Sequence, residues 1–104
     1  MTVWTRLREE LDRAGRLAQV AMDEGKIRLE LMRTRQLADR AAQTLGYEYH
    51  RARQAGKEID AEVHTRLITA LDTHLADIAS QEATLASMVA SRQPAPAEPP
   101  ATTN

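Results

Sequence analysis

The sequence has no cysteine, no phenylalanine, only four glycines, and no proline before position 94. Without cysteine there is neither a disulfide staple nor thiolate chemistry, and nothing points to an oxidising compartment. Gly15, Gly25, Gly46 and Gly56 are isolated, so no phosphate-cradling loop can be built from them. Aromatics are limited to Trp4, Tyr47 and Tyr49, and much of the 42% apolar content is alanine, which favours helix but buries little area. No apolar run approaches the roughly 18 residues needed to span a bilayer, and no apolar leader opens the chain, so the expected location is the cytoplasm. An excess of charge is missing as well. Fourteen basic against 15 acidic residues give a net charge of −1 and no whole-molecule field that would draw in nucleic acid.

What is present is helix-forming sequence sized for one small domain, 104 residues in all. Residues 2–54 are free of proline and carry acid-to-base pairs four apart in the favoured order: Glu9 with Arg13, Asp12 with Arg16, and Glu24 with Arg28. This predicts a first helix over about residues 2–54, roughly 75 Å long if unbroken, with Gly25 as the place where it would bend. Gln54-Ala55-Gly56-Lys57 is a stop signal, with Gly56 placed for the left-handed conformation that ends many helices. Asp60 then serves as an N-cap, behind Ile59 as a staple residue and ahead of Glu62 in the first turn. A second helix is predicted over about 61–91. Residues 92–104, with Pro94, Pro96, Pro99 and Pro100, read as a disordered tail.

Charge supports folding back. Residues 26–56 hold seven basic and three acidic side chains, whereas residues 58–91 hold one basic and six acidic. On a helical wheel Ile27, Leu31, Thr34, Ala38, Ala41, Leu45, Tyr49 and Ala52 share one side. In the second helix the matching stripe is Ile68, Leu71, Leu75, Ile78, Glu82, Leu85 and Val89, widened by Val63 and Leu67. Both are heptad-like seams, and a short loop makes them antiparallel neighbours. The fold class is therefore all-α: an antiparallel two-helix coiled-coil hairpin over residues 1–91, with Leu31, Leu45, Leu71, Leu75 and Ile78 expected among its buried residues. A separate stripe, Trp4, Leu7, Leu11, Ala14, Ala18, Met22, Gly25, Leu29 and Met32, lies nearly opposite the first. A second helix of about 31 residues is too short to cover both stripes. Either the N-terminal amphipathic helix bends near Gly25 and packs inward, or it projects and its face belongs to a partner.

Candidate chemistry is sparse. Glu48-Tyr49-His50, Glu62-Val63-His64 and Asp72-Thr73-His74 pair acids with histidines, but residues two apart on a helix point about 200° apart and cannot close on one ion. Asp60 and His64 share a face, yet two ligands fall short of a structural site. No strand-to-helix elbow strains a serine or threonine into a nucleophile, so no catalytic residue, cofactor, metal or small-molecule substrate is expected. Arg33, Arg40 and Arg51 form the one basic stripe that could meet phosphate, diluted by Glu30 and Glu48.

The expectation is a non-catalytic scaffold or adaptor acting through helix–helix association, as a homo-oligomer or with a partner protein's helix. Its contact residues would be Trp4, Leu7, Leu11, Ala18, Met22 and Leu29. Peripheral binding of a membrane surface through the same face is the alternative, since Trp4 suits an interface, and association with nucleic acid ranks third. The pattern Gly25-Lys26-Ile27-Arg28-Leu29-Glu30-Leu31, then Leu45-Gly46-Tyr47-Glu48-Tyr49 and a second amphipathic helix, resembles a group of small uncharacterised bacterial helical-hairpin proteins over about residues 1–90. The resemblance implies a coiled-coil hairpin with no assigned activity and carries over no functional residue.

Overall fold

A computed structural model describes residues 2–92, which form two α-helices and, among the described residues, no strand. Helix α1 spans Val3–Gln54 and α2 spans Ala61–Arg92. The stretch expected to be a disordered tail lies, after Arg92, outside the described residues. At 52 residues α1 is about 78 Å long, and it runs through Gly15, Gly25 and Gly46 without interruption. Of the two readings of the N-terminal segment, the continuous helix is the one found.

The turn between the helices follows from local chemistry. Lys57 donates its backbone N–H to the Ala52 carbonyl at 2.8 Å and Gly56 donates to Arg53 at 3.0 Å, the paired closure of a Schellman motif. That closure requires the residue after the cap to be left-handed, and Gly56 has φ of 67°. Arg51 and Arg53 lie in the last turn of α1, where cations suit the negative end of the helix dipole. Asp60 accepts the Val63 N–H through Oδ2 at 3.1 Å, which caps α2, and Glu62 follows in its first turn.

Three contacts fix the antiparallel register from one end of the hairpin to the other. Near the loop the rings of Tyr49 and His64 meet edge to face, with centroids 5.9 Å apart. Midway Arg35 approaches Glu82 at 3.9 Å, and at the far end Arg92 meets Glu24. The α1 side of the seam is the expected one: Leu31, Thr34 and Ala38 are buried, and Ile27, Ala41, Leu45 and Ala52 are half-buried. Tyr49 is the departure, with about half its surface in solvent.

The α2 side runs Leu67, Leu71, His74, Ile78, Gln81, Leu85 and Met88, all half-buried, with Val63, Ile68 and Val89 beside them. Leu75 is 50% exposed and Glu82 is exposed, so both leave the seam and Leu75 is not a buried core residue. Two ladders compete here, sharing Leu71, Ile78 and Leu85. Leu75 and Glu82 sit one heptad apart on the same flank, so turning Leu75 inward would carry a carboxylate in with it. Half-burying an imidazole and an amide costs less than burying an unpaired carboxylate. His74 and Gln81 therefore take the inner positions, and Glu82 stays in solvent beside Arg35.

The seam is narrow, and among the described residues no side chain is fully buried. Thr34 spends its hydroxyl on the Glu30 carbonyl at 2.9 Å. Across the seam Gln81 keeps a buried Oε1 with no hydrogen-bond partner.

Two stability measurements check this packing. Ile78→Ala should cost about 2 kcal/mol in urea unfolding and Leu75→Ala well under half of that, because only Ile78 lies on the inner ladder. Equal losses would place α2 in the other phase. Gln81→Leu should raise stability by about 1 kcal/mol, since it removes an acceptor that is desolvated without compensation. A fall in the urea midpoint would mean the amide is bonded after all.

Candidate interaction surface

Where α2 ends, a charge cluster closes the hairpin. Glu24 is 6% exposed, the only buried charged residue among those described. Arg92, in the last turn of α2, brings Nε to 2.8 Å from Glu24 Oε1, and Arg28, one turn along α1, lies 3.7 Å from Oε2. Glu24 Oε1 has no hydrogen bond, so Arg92 meets it charge to charge rather than along an N–H. Both arginines keep about half of their side-chain surface in solvent, which limits the strength of the cluster. Of the acid-to-base pairs read from the sequence, Glu24 with Arg28 forms an ion pair. The contact from Arg92 was not legible there, because it depends on the cross-helix register.

N-terminal to this cluster α1 runs past the end of α2. All nine residues of the separate stripe are exposed, including Ala14, Ala18 and Gly25. Trp4 is 79% exposed, Leu11 64% and Met22 60%, with Leu7, Leu29 and Met32 about half in solvent. Because α1 is one unbroken helix, its periodicity gathers the six expected contact residues, Trp4, Leu7, Leu11, Ala18, Met22 and Leu29, on one side. The stripe runs from Trp4 to Met32, about 42 Å at 1.5 Å per residue, on the side of α1 turned away from α2. A further large apolar residue was missed: Leu17, also mostly exposed, flanks Ala18 one helical step off the stripe.

Gly25 bears on what this face does. A glycine inside a helix costs about 1 kcal/mol relative to alanine. A Cβ at position 25 would meet nothing within 4 Å, so no packing within the chain calls for a glycine there.

The other candidates are scattered. Among the described residues no group of three or more acids and histidines comes together, and the three acid-x-His triplets stay spread along the two helices. His64 meets Tyr49 edge to face, and His74 occupies the seam. Arg51 of the basic stripe is paired with Glu48 at 3.2 Å. A shallow groove at the hairpin tip is lined by Tyr49, His50, Arg53, Lys57 and Ile59. Among the described residues no helix is long and apolar enough to cross a membrane.

Compared with known proteins, the chain matches no family model, no curated protein and no solved structure. Its likeness to bacterial hairpin proteins therefore gains no support from a specific family, and the surface has to be interpreted from its own chemistry.

The charge cluster generates a local prediction. Arg92→Ala should speed amide exchange in the last two turns of α2 while leaving the turns after Asp60 unchanged, at a global cost below about 1 kcal/mol. Uniform acceleration along α2 would show that Arg92 supports the whole hairpin.

Proposed function

We propose that this protein is a non-catalytic scaffold or adaptor that works by helix–helix association, with the outer face of α1 as its contact surface. The observation that carries the reading is the apolar stripe from Trp4 to Met32, sustained over about eight turns and left uncovered by α2. Single exposed leucines are ordinary, but contiguous apolar patches mark interfaces. The first 21 residues of α1 lie beyond the reach of α2, and an unsupported helix of that length is marginal in water. Association would supply the missing packing.

Charge favours a helix over a lipid surface as the occupant. Residues 3–25 carry four basic and five acidic side chains, without the basic excess that draws an amphipathic helix to anionic lipid. The basic stripe of α1 is likewise interrupted by acids, which supports a protein partner rather than nucleic acid.

Sedimentation equilibrium of the full chain and of the double variant Leu7→Asp, Leu11→Asp tests the reading. The intact protein is expected to associate at micromolar concentration, and the variant to be monomeric with most of its helical circular dichroism retained. An oligomer indifferent to both substitutions would show that this face is not the contact surface.

A further inference from the structure

The exposed stripe has a symmetric spacing. Its positions, 4, 7, 11, 14, 18, 22, 25, 29 and 32, are spaced symmetrically about residue 18: each step outward toward Trp4 is matched by an equal step toward Met32. We infer that the occupant of this face is a second copy of the same chain, packed antiparallel with a two-fold axis at Ala18. The inference rests on the association reading above and specifies its partner and register.

Side-chain size fits that arrangement layer by layer. Ala18 faces its own copy, Ala14 faces Met22, and Leu11 faces Gly25. Each inner layer thus sets a small residue against a large one or against another small one, which allows the two α1 helices to approach closely. Leu7 with Leu29, and Trp4 with Met32, close the ends. The register also gives Gly25 a use: among the described residues the space beside it is open, as it is beside Gly15 and Gly46, and the copy's Leu11 would sit there. A parallel pair in register would set Gly25 against Gly25 and leave a hole there.

Charge favours the register on one edge of the stripe. There Glu10 comes level with Arg28 of the copy, and Leu17 lies beside Ala21 close to the axis. On the other edge Arg8 comes level with Lys26 of the copy, a like pair that Glu30 and Asp12, lying just outside it, offset by reaching Arg8 and Lys26 respectively. A parallel pair would instead bring Arg28 against Arg33. Geometry also permits the pairing, since α2 occupies the opposite side of α1 and begins its cover only at Glu24. The shared face measures about 42 Å by 10 Å, a footprint of roughly 400 Å² on each copy, below the size of standard stable interfaces and suited to a weak, reversible pair.

The absence of native cysteine makes the test direct. Three full-length variants, Ala18→Cys, Leu7→Cys and Leu29→Cys, are treated with a short bis-maleimide crosslinker. Ala18→Cys is expected to link to its own copy. Leu7→Cys alone should not, because the two sulfurs would stand about 33 Å apart, whereas an equal mixture of Leu7→Cys and Leu29→Cys should link across one layer. Gly25→Leu adds apolar area yet should weaken dimerisation at least tenfold, by filling the space meant for Leu11. Leu7→Cys linking to itself as fast as Ala18→Cys, or Gly25→Leu tightening the dimer, would overturn the antiparallel register while association through this face stands. A chain that stays monomeric in sedimentation would overturn the second copy itself, and an oligomer that Leu7→Asp, Leu11→Asp fails to dissociate would remove the face.

Discussion

A 32-residue helix packed back from a tight turn covers little more than half of a 52-residue one, and most of this structure follows from that mismatch. The turn is pinned by Gly56 and Asp60, so α2 has no freedom to slide along α1 toward the N-terminus. Its cover runs out at Glu24, where Arg92 closes the seam. The length of α2 thus decides both how much core exists and how much of α1 stays bare.

The core that results is thin. Two helices in contact can bury only facing stripes, and half of the α1 stripe is small: Thr34, Ala38 and Ala41 lie in its middle where a larger hairpin would carry leucine. Small residues let the backbones approach but contribute little apolar area, so stability has to accumulate along the seam. Polar residues on the inner ladder, Thr34, His74 and Gln81, weaken it further. In coiled coils a polar seam residue can hold register at the expense of stability. Here the turn and the Glu24 cluster already fix the register from the two ends.

Sequence periodicity and cap chemistry were sufficient for both helices, the turn, and the inner face of α1, because each depends on residues near one another in the chain. The phase of α2 was harder. Leu75 is the more hydrophobic choice, and taken alone it outbids His74. What reverses the choice is Glu82, seven residues on, whose charge has to follow Leu75 wherever it goes. That penalty is a property of two positions together, which a ranking of single side chains does not capture. The exposed stripe was legible as a pattern, and its alternative burial was ruled out only by the continuity of α1 through Gly25. Leu17 escaped notice because it lies off the stripe by one helical step.

The place where α2 stops also makes α1 a lever. From Val3 to Glu24 the helix extends about 32 Å beyond the end of α2, so a sideways load at its tip bears on a fulcrum at Glu24. The last turn of α2 holds that fulcrum through one charge contact, Arg92 to Glu24, and the half-buried Met88 and Val89. Under such a load the hairpin would open from this end toward the loop, the capped turn at Gly56 parting last.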